Sequence, residues 1–402
     1  MWKRVAPALG LFFLSPLVGE FLLGNLPITM LFALITLAPL YGGGALLVRE
    51  LARRRGAGWP GIVLLAVAYG LIEEGLVTRS LFNPGYAGMD LQSYLWIPGV
   101  GVSAWWTVFV LGVHVVGSIC VPIAVMESLV PGRATEPWLR TPGLVVAGVL
   151  FMLGAAAAYT IDPYEPGAWQ LVGAALLAGL LVFIALKRRP ATSSAVAGQT
   201  AEREHPAVLA ETRPAAQPEQ PAVHGGTGPA AQPEQPAERG GTGPTAQPEH
   251  AEAGPTPERG RSAERAGAGL ADKSGRSAER VPGGWAVLVF SLVAGAVFWL
   301  SVMFLDALGG WLVMVMHLAL YVTVCVLVVR WAREPGWGLW QRFALAAGGV
   351  VTYAWHGFPQ PPAIPADPAV DLAGNVVFAV AAIALLALAA RKIRSYTPAA
   401  AR

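Results

Sequence analysis

The sequence predicts an all-α membrane protein, a polytopic transmembrane helical bundle of about ten spans with a disordered cytoplasmic linker between spans six and seven. Three observations carry this expectation. Of the 402 residues, 54% are hydrophobic and only 13% are charged, where a soluble domain carries roughly 25% charged residues. Mean hydropathy is +0.52, and the apolar residues fall in runs long enough to cross a bilayer, roughly 17–25 residues. The charges gather in short clusters between those runs and in residues 187–282. With a net charge of only +3, the expected partner is the lipid bilayer, with no nucleic acid. A small-molecule, ion or peptide substrate stays undefined at this level.

The first apolar run covers residues 5–23. Met1-Trp2-Lys3-Arg4 imitates the start of a signal peptide, but no small-x-small cleavage site follows, so a retained span is expected. The remaining runs before the polar stretch are 30–48, 59–76, 104–127, 143–159 and 169–186. After it come 285–305, 311–329, 343–355 and 372–390, of which 343–355 is the shortest. Domain organisation follows: a six-span membrane region at 1–189, a linker at 190–282 and a four-span region at 283–402. In the linker, Ala216-Gln217-Pro218-Glu219-Gln220-Pro221 returns at 231–236 and, degraded, at 246–249. Repeats that stack need apolar positions; these have almost none, so the segment cannot offset its ordering entropy.

Lysine and arginine set the orientation. Lys3, Arg4, Arg49, Arg53, Arg133, Arg140, Lys187, Arg330, Arg333, Arg342, Arg391, Lys392 and Arg394 all fall on one side of a ten-span topology. The opposite loops contain Arg79 alone. Both termini and the linker are therefore expected in the cytoplasm of a multi-pass cell-membrane protein. The excess of arginine over lysine suggests a bacterial plasma membrane. Cys120 and Cys325 lie in apolar runs without any CxxC spacing, and are expected to be small buried hydrophobes.

Ionisable residues at span depth cost roughly 2.5–3.5 kcal/mol each on insertion scales, so each asks for a reason. Glu73-Glu74 ends the third run. Ala66, Gly70 and Glu74 share a stripe of small residues that lets a helix approach, whereas Glu73 lies about 100° away. The two carboxylates are thus expected to face different neighbours. They are either members of a site or a solvated pair beside Arg79. In the fourth run His114, Ser118 and Pro122 share a face. Pro122 has no N–H for the Ser118 carbonyl and leaves that acceptor exposed. His114 either walls a site or bonds to a neighbouring helix, while Glu127 marks the interface. In the ten-span orientation Glu20, Glu73, Glu74, His317 and Asn375 fall in the outer half and His114 near the middle. One outward-facing polar cavity is compatible with that bias, and His with carboxylate is a ligand set suited to zinc. Pro39 and Gly42-Gly43-Gly44 either break the second span or let it pack closely, and the loop 80–103 is a lid or a connector.

Glu73-Glu74 followed by Arg79, with Phe109 before His114, resembles the CAAX-protease and bacteriocin-processing (CPBP) intramembrane metalloproteases. Both intervals are one residue longer than the family pattern. The family's His-x-x-x-Asn motif is missing, with Asp371 where its His would precede Asn375. The resemblance covers about sixty residues and implies Glu73 or Glu74 as the catalytic base, with His114 and His317 as metal ligands. Three functions remain: a metal-dependent intramembrane hydrolase, a proton- or cation-coupled transporter, and a noncatalytic scaffold. A nucleotide-binding loop, a GxSxG elbow and an HExxH helix are all missing.

Overall fold

The computed structural model describes residues 2–187 and 281–396. The chain divides into two compact units, the first made of Met1–Thr192 and Glu279–Arg402 and the second of Ser193–Ala278. The expected linker at 190–282 lies, except for its last two residues, outside the described residues.

The first unit is a helical bundle. Nine of its described helices are long and apolar enough to cross a membrane. Before the linker these are α1 (Val5–Leu22), α2 (Ile28–Arg54), α3 (Gly58–Val77), α4 (Ala104–Leu129), α5 (Thr141–Tyr159) and α6 (Ala168–Lys187). After it come α7 (Gly284–Met303), α8 (Gly310–Ala332) and, last in the chain, α10 (Pro368–Arg394). The remaining expected span, at 343–355, is the helix α9 (Leu339–His356). Its 18 residues rise about 27 Å, close to the roughly 30 Å of a bilayer core, but it is less apolar than the other nine. The reason is its position. It packs against α7, α10 and α4, and Val351 alone is exposed along its length. A helix walled by protein has no need of an apolar outer face.

The helices sort into an interior set and a peripheral one. In α3 and α4, 67% and 61% of the apolar window is buried, against 17% in α5 and α6 and 11% in α8. Rows of Val and Leu on α5, α6 and α8 therefore face outward, as expected where lipid tails are as apolar as leucine. Cys325 is exposed on α8 and Cys120 half-buried on α4. The expectation that both are buried fails for this reason: an apolar run does not distinguish the lipid side from the core. The loop between α3 and α4 is a connector with short 3-10 turns and a two-stranded hairpin pairing Trp96 with Ser103.

Close approach is built from glycine and proline. The triplet in α2 packs against three partners. A Cβ on Gly42 would meet the Phe12 backbone, on Gly43 the Phe151 backbone, and on Gly44 the Tyr69 ring. Pro122 cannot donate to the Ser118 carbonyl, and the Ser15 hydroxyl of α1 donates to that oxygen instead, at 2.6 Å. Ser15→Ala leaves this buried acceptor without its partner. We expect a loss of about 1 kcal/mol, read as a lower thermal midpoint of the purified protein.

Candidate functional site

Four interior helices carry a π turn, in which one extra residue widens the helix, a feature frequent at functional sites. The turns are Leu17–Leu22 in α1, Ala38–Gly42 in α2, Glu73–Val77 in α3 and His114–Cys120 in α4. Each supplies a polar residue to the same region: Glu20, Tyr41, Glu73 with Glu74, and His114 with Ser118. Proline accompanies three of them. Pro16 precedes the first, Pro39 sits inside the second and Pro122 follows the fourth. Each removes a backbone donor and loosens the regular ladder. The third holds Gly75 instead.

The centre of the site is the His114 ring. Its Nε2 lies 2.6 Å from Glu74 Oε1 and its Nδ1 3.1 Å from Glu73 Oε2. Both carboxylates therefore reach one partner, whereas a regular helix predicts different neighbours for them. The two side chains still leave the helix on adjacent faces, and His114 meets both because its imidazole offers a nitrogen on each edge. Gly70 lets α4 come in, since a Cβ there would already touch His114 Cβ at 3.6 Å. Glu73, Glu74 and His114 are buried, and one ligating atom from each lies within 4.8 Å of the other two.

The surroundings hold Glu74 more tightly than Glu73. Glu74 Oε2 accepts from Thr78 Oγ1 at 3.0 Å and from the Ser80 hydroxyl. Trp106 Nε1 in turn donates to Ser80 Oγ at 3.1 Å. Glu73 Oε2, close to His114 Nδ1 but without an aligned hydrogen bond, has no hydrogen-bond partner among the described residues. Ser118 Oγ sits 3.3 Å from the same Nδ1. The rings of Tyr41 and Tyr69 lie 5.9 and 6.3 Å from the imidazole, centroid to centroid. Glu20 stands beyond Tyr41, accepting from the Tyr41 hydroxyl and from Asn25 Nδ2.

The other sequence candidates sit elsewhere. His317 on α8 contacts Ser301 Oγ at 2.9 Å and stacks on Phe298 at 4.4 Å. Asn375 on α10 donates to the Gly357 carbonyl at 2.9 Å. Arg79 leaves α3 with φ +61°. It binds the Tyr159 and Asp162 carbonyls and Glu165, and its guanidinium lies 3.9 Å from the Tyr159 ring centre. It therefore ties down the loop between α5 and α6. Glu127, expected only to mark the interface, is buried and ion-paired with Arg49 and Arg53. Tyr41, Asn25, Thr78 and Ser80 escaped the sequence analysis. For Tyr41 a signal existed: like Glu20, it follows a proline by a few residues.

Fold and site define a polytopic helical membrane protein with a carboxylate–histidine cluster inside its bundle. The profile of an uncharacterized membrane protein family matches residues 9–215, and the chain belongs to that family. The matched stretch contains every residue of the cluster. No curated protein and no solved structure matches the chain.

Proposed function

We propose that this protein is a metal-dependent hydrolase working inside the membrane, with Glu73, Glu74 and His114 as its metal-and-base set. One observation carries the reading. Two carboxylates and an imidazole meet in a buried position, and one carboxylate oxygen, Glu73 Oε2, is left without a hydrogen bond. Buried charges are normally paired or bound to metal, and the nearby arginines are engaged elsewhere: Arg79 with the outer loop, Arg49 and Arg53 with Glu127. A divalent cation would balance such a cluster, with Glu74 and His114 as the residues that would hold it, since carboxylate and imidazole are ligand types suited to zinc. Zinc, when bound, brings water close to ionisation at neutral pH. Glu73, the less encumbered carboxylate, would serve as the base beside the ion. Glu74 is held in orientation by Thr78 and Ser80, and His114 is backed by Ser118. The CPBP resemblance gains support from the π turn at Glu73–Val77. The interval to Arg79 exceeds the family pattern by one residue, and one residue is what a π turn inserts. His317 contributes no support, because its partners are Ser301 and Phe298.

A second reading rests on the 2.6 Å contact between His114 and Glu74. Ligand atoms around a tetrahedral zinc stand about 3.4 Å apart, given bonds of about 2.0–2.1 Å, so this contact must open for an ion to enter. Left closed, it is a proton-sharing pair of the kind that pumps and transporters use. Metal analysis of the purified full chain separates the two. The hydrolase reading expects about one zinc per chain, lost in His114→Ala and Glu74→Gln. Metal-free protein, together with proton-coupled uptake in vesicles that Glu74→Gln abolishes, overturns it in favour of transport.

Orientation and division into regions belong to the same proposal. The basic residues support a cell-membrane protein with both termini in the cytoplasm, Glu73 and Glu74 in the outer half of the bilayer and His114 near its middle. A six-span region at 1–189 and a four-span region at 283–402 are supported by a family match that ends soon after α6.

A further inference from the structure

Among the described carboxylates near the cluster, that of Glu20 belongs to the residue that is partly exposed. Glu73 and Glu74 are 1% and 4% exposed and His114 is 6% exposed, whereas Glu20 is only half-buried. Its two oxygens are held by neutral donors, the Tyr41 hydroxyl and Asn25 Nδ2, and no cationic side chain pairs with it among the described residues. On its inner side, Tyr41 carries the contact onward, with its ring 5.9 Å from that of His114. Gly19, beside Glu20, leaves room for Ser118, whose hydroxyl would lie 2.8 Å from a Cβ at that position. A polar line therefore runs Asn25, Glu20, Tyr41, His114, and then Glu73 and Glu74.

The far side of the cluster is blocked. The second oxygen of Glu74 is covered by Thr78 and Ser80, and the Ser80 hydroxyl is covered by Trp106, which is itself buried. The Asn25 end is held in place rather than loose. Gly24 has φ +85°, and a Cβ there would meet Gly357 backbone atoms at 2.7 Å. The Ala363 N–H donates to the Asn25 carbonyl at 2.9 Å, and His356 Nδ1 lies 3.3 Å from the Leu23 carbonyl. A fixed turn thus holds a partly exposed glutamate beside the buried carboxylates of the cluster, and acidic groups gathered in a low-dielectric setting concentrate cations.

We infer that Glu20 is the entry carboxylate of this site: a divalent metal ion is captured at Glu20 and passes by Tyr41 to Glu73, Glu74 and His114. The inference rests on the metal reading above and adds a route and a residue to it. Glu20 is a positioning residue on this account and not a ligand of the bound ion. It therefore controls how fast the site fills, not how much metal it holds.

The test uses the full-length protein in lipid nanodiscs, stripped with a chelator and mixed with cobalt(II), which occupies zinc-type sites and reports binding by its absorption. Glu20→Gln is expected to reach the wild-type stoichiometry at a rate lowered tenfold or more. Tyr41→Phe should slow loading less, Glu20→Asp should restore most of the rate, and His114→Ala should lose stoichiometry. Glu20→Gln loading at the wild-type rate overturns the entry role while leaving the metal site standing. Glu20→Gln with reduced stoichiometry, in protein whose helical circular dichroism and elution are unchanged, makes Glu20 a ligand and also overturns it. Wild-type protein that takes up no cobalt removes both the metal reading and this inference.

Discussion

Arg49→Ala is expected to cost roughly 3–5 kcal/mol, the usual penalty for removing one partner of a buried ion pair. Arg49 is fully buried on α2. Its Nη1 lies 2.7 Å from Glu50 Oε1 and its Nε 3.1 Å from Glu127 Oε1. Its Nη2 donates to the Ala134 and Glu136 carbonyls at 3.0 and 2.9 Å, and its guanidinium lies 3.2 Å from the centre of the Trp138 ring. One side chain thus joins α2, α4 and the segment leading into α5. Without it, Glu50 keeps only the Trp138 and Leu139 amides, and buried carbonyls lose their donor. The thermal midpoint of the detergent-solubilised protein should fall sharply. Arg49→Lys should recover only part of the loss, because an ammonium cannot reproduce the planar fork or the stacking. A midpoint equal to wild type for Arg49→Ala would show that the network contributes little.

Gly42→Ala should be nearly as damaging, by a different route. A Cβ at Gly42 would lie 1.9 Å from the Phe12 carbonyl oxygen and 2.6 Å from the Phe12 Cα. These are backbone atoms of α1 and cannot rotate away, so one helix must move. Overpacking typically costs 1–3 kcal/mol, occasionally more, and a backbone collision belongs at the upper end. The site is affected too. Gly42 follows Tyr41 in the same π turn, and Tyr41 donates to Glu20 on α1. Parting α1 from α2 separates that pair. The expected result is a lower thermal midpoint together with slower cobalt loading. Gly148 on α5 is the control: nothing lies within 4 Å of its added Cβ. Gly148→Ala should leave both measurements at the wild-type level.

Several features of the site were legible in the sequence because they break a local rule. Glu73, Glu74 and His114 stand out against apolar runs, since charge at span depth is costly. The Ser118 acceptor followed from Pro122 alone, and Ser15 fills it. Other features were not legible. Arg49 counts as one more basic residue at a span end until Glu127 and Trp138 are brought to it by the folding of the segment between α4 and α5. His317 has the depth of a ligand but not the location, because depth along one helix says nothing about the direction it faces.

By itself, the sequence determined the helical membrane class, the placing of its apolar spans and the polar residues that needed an explanation. All of these depend on local composition and on backbone groups that must be satisfied within each segment in lipid. Only the tertiary structure decided which of those residues meet. Two physical causes account for the difference. Lipid is as apolar as a protein core, so Leu11, fully buried, and Leu177, 48% exposed, look alike in sequence. And only the packing of α4 on α3 seats an imidazole between the faces of Glu73 and Glu74, about 100° apart on a regular helix, so that both close on one histidine.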